Sequence, residues 1–127
     1  MQFESRYFGS IPVAAPTGRL DQSAATAFEQ ALLPLLDDSS AAGLVVDLGQ
    51  VEYISSVGLR VLMIAAKQMR ARKARIAAAT LQPIVAEIFA ISRFDSVFEV
   101  FPSVRDALSA ISPDALAAYD ASATRTS

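Results

Sequence analysis

The chain contains no cysteine and no histidine among its 127 residues. The absence of cysteine excludes disulfide bonds, thiolate chemistry and zinc sites built on cysteine, and it fits a reducing compartment. The absence of histidine removes the side chain that most often serves as a general base and as a transition-metal ligand. Together these two absences argue against most kinds of enzyme, and we expect the protein not to be one.

Long apolar runs and a strong charge of one sign are also missing. No apolar run approaches the roughly 20 residues that a helix needs to cross a bilayer. The first residues lack the basic start and apolar segment of a signal peptide. We therefore expect a cytoplasmic protein without membrane insertion. The net charge of −2 gives no support for nucleic-acid binding, which usually needs a basic face. No glycine-rich loop follows a predicted strand, and we expect no cofactor.

The composition is that of a folded domain. Hydrophobic residues make up 53% and charged residues 19%, and 127 residues fit one domain. We place this domain at residues 1–111. Residues 112–127 are mostly small and polar, and we expect them to form a short extension and then a frayed, partly flexible tail.

Strand and helix patterns alternate along the chain. Residues 7–15 predict one or two strands in a hairpin around Gly9 and Ser10, and Pro12 favours an edge position. Further strands are predicted at residues 44–48, 74–79 and 97–101, and helices at residues 22–36, 57–70, 81–92 and 103–111. Loops are predicted at residues 37–43 and 53–58. This order predicts an α/β fold with a mixed, mainly parallel sheet of four to five strands and about four helices.

Local signals add detail to three of these helices. Asp21 is a candidate N-cap of the helix at residues 22–36, and Pro34 predicts a kink or an early end in its last turns. Ser103 is a possible cap of the helix at residues 103–111. In the helix at residues 57–70 an apolar stripe is formed by Val61, Leu62, Ala65 and Met69, with Arg60 and Lys67 on the other side. Parallel strands carry their sites at their carboxyl ends, where Asp21 and the loop at residues 53–58 fall.

The central motif lies in residues 43–62, GLVVDLGQVEYISSVGLRVL. It resembles the STAS domain of anti-sigma factor antagonists, in which a strand ending in Asp-Leu, a short loop and an aromatic residue precede Asp/Ser-Ser-x-Gly-Leu at the start of a helix. Residues 18–21, Gly-Arg-Leu-Asp, match the Gly-x-Leu-Asp turn of that family. Its closing helix and strand are matched by Phe94, Val97, Phe98, Val100 and Phe101. The resemblance covers roughly residues 5–111 and implies a single STAS-type domain.

The resemblance also implies a phosphorylation site. In this family the serine before x-Gly-Leu is phosphorylated, and the matching position here is Ser56. The family often has aspartate at the preceding position, where this chain has Ser55. That departure leaves open whether a partner kinase recognises the site in the usual way, and whether Ser55 replaces or assists the phosphorylated serine.

The implied function is that of an anti-sigma factor antagonist. The unphosphorylated form would bind an anti-sigma factor serine kinase and so release a sigma factor. Phosphorylation of Ser56 by that kinase would end the binding, and a separate serine phosphatase would reset it. We expect a monomer whose partner-binding residues are Asp21, Ser55, Gly58, Leu59, Arg60 and Met63.

General physical chemistry also favours Ser56 as a switch. A serine at a helix N-terminus lies near unpaired backbone N–H groups and the positive end of the helix dipole, which can receive a phosphate. The modification adds about −1.5 to −2 charges without necessarily melting the helix. Gly58 keeps the loop free of a side chain, which would let a kinase approach closely. The simpler alternative is that Ser56 only caps the helix.

Other interpretations stay open. Met63 and Ile64 are either an exposed contact for a partner, rimmed by Arg60 and Lys67, or residues partly buried under a neighbouring loop. A different function is that of a STAS accessory subunit docking on a membrane transport or signalling complex, in which phosphorylation plays no part. An enzyme would need a base to activate Ser56. A metal site would need acidic residues such as Asp21, Asp47 and Glu52, which show no recognisable ligand spacing.

Overall fold

A β-hairpin opens the chain in the computed structural model, which describes residues 2–37 and 41–125. Strand β1 (Gln2–Phe8) pairs antiparallel with β2 (Ile11–Leu20), which confirms the hairpin. Both strands extend beyond the predicted residues 7–15, and residues 18–20 of the expected turn belong to β2. Pro12 does not lie in an edge strand, because β2 lies between β1 and the next strand of the sheet. The two-residue turn makes Pro12 part of a non-hydrogen-bonded pair with β1. On the other side of β2, pairing begins only at Val13. The N–H group that Pro12 lacks is therefore not needed for pairing on either side of β2.

The sheet has six strands in the described part of the chain, one more than expected. The strands after the hairpin are β3 (Gly43–Asp47), β4 (Val51–Ile54), β5 (Arg75–Ala79) and β6 (Glu99–Phe101). Their order is β1-β2-β3-β5-β6, and β4 pairs with the second half of β2. Every pairing after the hairpin is parallel. The mixed, mainly parallel sheet is confirmed, but the first two residues of the predicted loop at 53–58 belong to strand β4.

The helices follow the predicted order. They are α1 (Ala25–Leu36), α2 (Ser56–Ala71), α3 (Pro83–Ile91), α4 (Val104–Ile111) and α5 (Pro113–Arg125), with a 3-10 turn at Phe94–Ser96. Helix α1 begins three residues later than predicted and continues two residues past Pro34, so the early end expected at this proline is wrong. The predicted cap of α4 is present, since the Ser103 side chain accepts a hydrogen bond from the Asp106 N–H at 3.0 Å.

Apolar residues of the strands alternate between the two faces of the sheet. In β3, Leu44 and Val46 join one buried cluster with α1, α2 and α3, whereas Val45 joins a second cluster with α4 and α5. Strand β5 shows the same period, with Ala78 on the first face and Ala77 on the second. Because apolar side chains point to both faces of the sheet, helices pack on both faces.

The segment after residue 112 forms a helix that packs on the hairpin. Ala115 is buried, and the ring of Tyr119 meets that of Phe8 edge to face at 5.2 Å between centroids. The sequence predicted an extension and a frayed tail here and gave no sign of this helix. Residues 126–127 of that tail and residues 38–40 of the predicted loop at 37–43 lie outside the described residues. Within residues 2–37 and 41–125, no helix is both long and apolar enough to cross a membrane.

Candidate functional site

The candidate site lies where β2 and β4 end. The two strands are parallel, and the last pair in register is Leu20 with Ile54. The residues that follow, Asp21 and Ser55, therefore leave the sheet at the same edge. This is the carboxyl edge, where parallel sheets carry their sites.

Ser55 is the N-cap of α2. Its backbone is extended, and its hydroxyl oxygen accepts a hydrogen bond from the Gly58 N–H at 3.3 Å. The same hydroxyl donates to the carbonyl oxygen of Leu20 at 3.1 Å. The alternative in which Ser56 is the cap is therefore wrong, because the neighbouring serine holds that position.

Ser56 is the first residue of α2 and its side chain is exposed. Within the described residues its hydroxyl makes no hydrogen bond. The backbone N–H groups of Ser56 and Val57 also have no partner there, whereas those of Gly58 and Leu59 are bonded to Ser55. An accessible hydroxyl thus lies beside free N–H donors at the positive end of a 16-residue helix.

Gly58 is needed for packing inside the chain. It is buried, and a Cβ atom added there would overlap the carbonyl oxygen of Leu20 and lie 3.0 Å from Cγ2 of Ile54. The first turn of α2 therefore rests directly on the ends of β2 and β4. This internal contact accounts for the glycine without the approach of a kinase that the sequence suggested.

Asp21 caps a turn and does not cap α1. Its Oδ1 atom accepts hydrogen bonds from the Ser23 hydroxyl at 2.6 Å, the Ser23 N–H at 3.1 Å and the Ala24 N–H at 3.2 Å. The N-cap position of α1 is occupied by Ala24, so the predicted N-cap role of Asp21 is wrong. The hydrogen bond from the Ser23 hydroxyl is the main cause that lowers the pKa of Asp21 from its ordinary value of 3.8.

Arg19 and Tyr53 flank Asp21 at the same edge. The Arg19 guanidinium carbon lies 4.6 Å from the centre of the Tyr53 ring, and its Nε atom lies 3.9 Å from Asp21 Oδ2. Arg19 is more than half exposed, so these contacts orient a charged surface without burying it.

The outer side of α2 lines an open groove of about 500 Å³. The groove is lined by Ser56, Leu59, Arg60, Met63, Ile64, Lys67 and Phe94. Met63 and Ile64 are half-buried, whereas Arg60 and Lys67 are exposed. The apolar stripe predicted for this helix is buried against the sheet. One side of α2 therefore packs on the sheet. The other side lines the groove, with half-buried apolar residues at its floor and exposed basic residues at its rim.

The acidic residues considered for a metal do not come together. In residues 2–37 and 41–125, no group of three or more acidic side chains is placed to hold an ion. Asp47 instead stabilises the turn after β3, since its Oδ1 atom accepts hydrogen bonds from the Gly49 N–H at 3.0 Å and from the Thr80 hydroxyl.

Comparison with known families agrees with this architecture. The family model described as "Mlab, STAS domain" matches residues 13–102, from β2 to the end of the sheet. The chain belongs to the STAS domain family. The matched range contains the edge with Asp21, the two serines and the whole of α2.

Relatives of this STAS domain have been named as anti-sigma factor antagonists. The protein BtrV of Bordetella bronchiseptica, so named, is 43% identical over 79 residues, which cover 62% of this chain and 67% of BtrV. The crystal structure of an anti-sigma factor antagonist from Mycobacterium paratuberculosis has a TM-score of 0.79 at 26% identity, covering 87% of this chain and 92% of the other. The Bacillus cell-fate determinant SpoIIAA in its phosphorylated form shares the fold, with a TM-score of 0.69 at 12% identity over 87% of this chain and all (100%) of the other.

Proposed function

We propose that this STAS domain is an anti-sigma factor antagonist controlled by phosphorylation of Ser56. In its unphosphorylated form it binds an anti-sigma factor that is a serine kinase, and the sigma factor is released. The kinase uses ATP to phosphorylate Ser56, which ends the binding, and a serine phosphatase restores the binding form. The antagonist function itself is supported by the similarity to BtrV and to the mycobacterial protein.

The observation that carries this proposal is the unequal state of two neighbouring serines. The hydroxyl of Ser55 is engaged with Leu20 and Gly58, and Ser55 is partly buried. The hydroxyl of Ser56 is exposed and has no partner in the described residues. Of these two serines, only Ser56 offers an exposed hydroxyl that could receive a phosphoryl group. We therefore assign the modification to Ser56 and a structural role to Ser55.

The surroundings of Ser56 suit a switch that leaves the fold intact. A phosphate on Ser56 would lie near the free N–H groups of the first turn, where a helix favours negative charge. The same phosphate would add about −1.5 to −2 charges to an edge that already holds the anionic carboxylate of Asp21. Repulsion of like charges across an interface costs several kcal/mol, so binding would be lost while folding is kept.

The groove beside Ser56 is the surface that we assign to the partner. Leu59 and Met63 supply its apolar floor and Arg60 supplies part of its basic rim. Interfaces commonly combine an apolar centre with a polar rim, and methionine and arginine are enriched in them. Asp21 does not line this groove, but it leaves the sheet at the same edge as Ser55, where α2 begins. Gly58 contributes only through the packing that fixes this turn, because it is buried.

Affinity capture from a lysate of the native host tests the proposal. Wild type and Ser56→Asp are used as parallel baits, and Ser109→Asp is the control, because Ser109 is exposed on α4 at the opposite face of the sheet. We expect a serine-kinase anti-sigma factor to bind wild type and Ser109→Asp and to be lost from Ser56→Asp. Tight binding of that protein by Ser56→Asp contradicts the switch. Capture of the same membrane transport or signalling components by all three baits would instead favour the accessory-subunit function.

A phosphorylation assay separates the two serines. The captured kinase is incubated with ATP and with wild type, Ser56→Ala or Ser55→Ala, and the modified peptide is mapped by mass spectrometry. We expect phosphate on Ser56 in wild type and in Ser55→Ala, and none on the peptide of Ser56→Ala. Phosphate on Ser55 in the wild type would contradict the assignment.

A further inference from the structure

Arg60 lies one helical turn after Ser56 on α2. Residues four apart on a helix are neighbours, with about 5–6 Å between their Cβ atoms. Both side chains are exposed, and both line the groove beside the first turn. An anion on Ser56 would therefore meet the guanidinium of Arg60 before any other cation of this helix.

Arg60 takes part in no ion pair among the residues that the structure describes. Other arginines are engaged by carboxylates: Arg75 by Glu99, and Arg105 by Asp120. Arg60 lies on the ridge between the groove beside Ser56 and a second groove between α1 and α2, which it lines together with Glu29. Its guanidinium thus borders both grooves without a carboxylate partner among the described residues.

We infer that Arg60 binds the phosphate of Ser56 within the same molecule. The inference rests on the proposed function, because it concerns the phosphorylated state of that site. Guanidinium groups match phosphate oxygens with two parallel hydrogen bonds. The order also suits the helix, since an anion N-terminal to a cation four residues later is the favourable orientation.

This contact gives phosphorylation a second effect on the partner surface. The modification adds negative charge at Ser56 and also withdraws a positive charge from the rim of the groove. A partner that uses an acidic group against Arg60 therefore loses an attraction in addition to meeting a repulsion. Among the described residues, charged groups around this part of α2 include Arg19 and Asp21 at the end of β2, Glu29 on α1 and Lys67 further along α2.

The test uses protein in which phosphoserine is inserted at position 56 during translation, so it does not depend on any kinase. The second pKa of the phosphate is measured by ³¹P NMR in the wild-type background, in Arg60→Gln and in Lys67→Gln. We expect the pKa to be higher by about 0.2–0.4 pH units in Arg60→Gln, because a helical ion pair of about 0.2–0.5 kcal/mol favours the dianion. Lys67→Gln should change it by less than about 0.1 pH units, because three turns of helix separate the two side chains by about 16 Å.

Two outcomes overturn the inference. One is an unchanged phosphate pKa in Arg60→Gln, and the other is an equal rise in Arg60→Gln and Lys67→Gln, which would indicate only the general field of the basic rim. The difference caused by Arg60→Gln should also shrink strongly in 1 M salt, where charges are screened beyond about 3 Å. If no kinase modifies Ser56, the proposed function fails, whereas this titration still reports whether Arg60 binds the phosphate.

Discussion

The carbonyl oxygen of Leu20 accepts two hydrogen bonds from Ser55, one from its N–H at 3.0 Å and one from its hydroxyl at 3.1 Å. The end of β2 is thereby joined to the residue that begins α2. Since the same hydroxyl also accepts a hydrogen bond from Gly58, one side chain connects strand and helix. Ser56, the next residue, is left facing outward at a fixed point of the sheet edge.

Replacing Ser55 by alanine should destabilise the fold, whereas replacing Ser56 should not. We expect Ser55→Ala to lower the free energy of unfolding by about 1–2 kcal/mol, because an N-cap is lost. Ser56→Ala should stay within about 0.5 kcal/mol of wild type, as exposed residues usually do. Urea denaturation followed by circular dichroism measures both. Similar losses in the two variants would show that the serines share the cap.

Gly58→Ala should be destabilising although alanine is the better helix former. The added methyl group would overlap the Leu20 carbonyl oxygen and force the first turn of α2 away from the sheet. We expect a loss of about 2 kcal/mol in the free energy of unfolding, which outweighs the roughly 1 kcal/mol that favours alanine in a helix. Gln68→Ala, an exposed position of the same helix, is the control. A Gly58→Ala variant as stable as wild type would contradict the close approach.

The sequence predicted best the structural features that depend on residues close together in the chain. The stripe of α2 and the cap of α4 were predicted because each depends on residues close together in the chain. Strand β4 was missed because it has only four residues, with Glu52 exposed, and is held by pairing with β2 far away in the sequence. Helix α5 was missed because, apart from Tyr119, its contact with the second buried cluster is made by small residues, Ala115 and Ala118. Small residues differ little in hydrophobicity from their polar neighbours, so the buried side of this helix produces no clear periodic pattern in the sequence.

The site was predicted in position more accurately than in detail. The family motif and the strand order indicated that Asp21 and the serines meet at one edge, which follows from parallel strands that end together. Asp21 was the candidate N-cap of α1, three residues before the N-cap in the structure, and the alternative role of Ser56 as the cap of α2 was one residue too late. A hydroxyl or a carboxylate can accept hydrogen bonds from any of several neighbouring N–H groups. Which residue caps a helix depends here on the hydrogen bond from Ser55 to the Leu20 carbonyl oxygen and on the turn in which Ser23 bonds to Asp21. Neither contact can be inferred from the sequence pattern.

Helix α5 should contribute to stability through Tyr119. Its ring meets Phe8 edge to face, and Phe8 is buried in the cluster that α5 covers. We expect Tyr119→Ala to lower the free energy of unfolding by about 1–2 kcal/mol, because aromatic contact and apolar burial are both lost. Tyr119→Phe keeps the ring and should change stability by less than about 0.5 kcal/mol. If Tyr119→Ala unfolds at the same urea concentration as wild type, the contact between Tyr119 and Phe8 does not stabilise the fold.

The pair of Arg75 and Glu99 should make stability depend on pH. The Arg75 Nε atom donates to Glu99 Oε2 at 2.8 Å, a second nitrogen donates to Oε1, and the remaining one donates to the carbonyl oxygen of Ala110. The hydrogen bonds from Arg75 lower the pKa of Glu99 below its ordinary value of 4.5. A lowered carboxyl pKa stabilises the folded state above the unfolded pKa, and this stabilisation is lost as the pH falls through the folded pKa.

Glu99→Gln should therefore destabilise the protein at pH 7 and lose its effect in acid. Because both side chains are more than 40% exposed, solvent screens the pair and we expect a difference of only about 0.5–1 kcal/mol at neutral pH. Urea denaturation at intervals from pH 7 to about pH 3 should show the two proteins converging as Glu99 becomes protonated in the wild type. Glu52→Gln, which removes one carboxylate at an exposed position of β4, is the matched control for the change in net charge. A constant difference between wild type and Glu99→Gln down to the lowest pH would mean that the ion pair does not stabilise the junction of β5, β6 and α4.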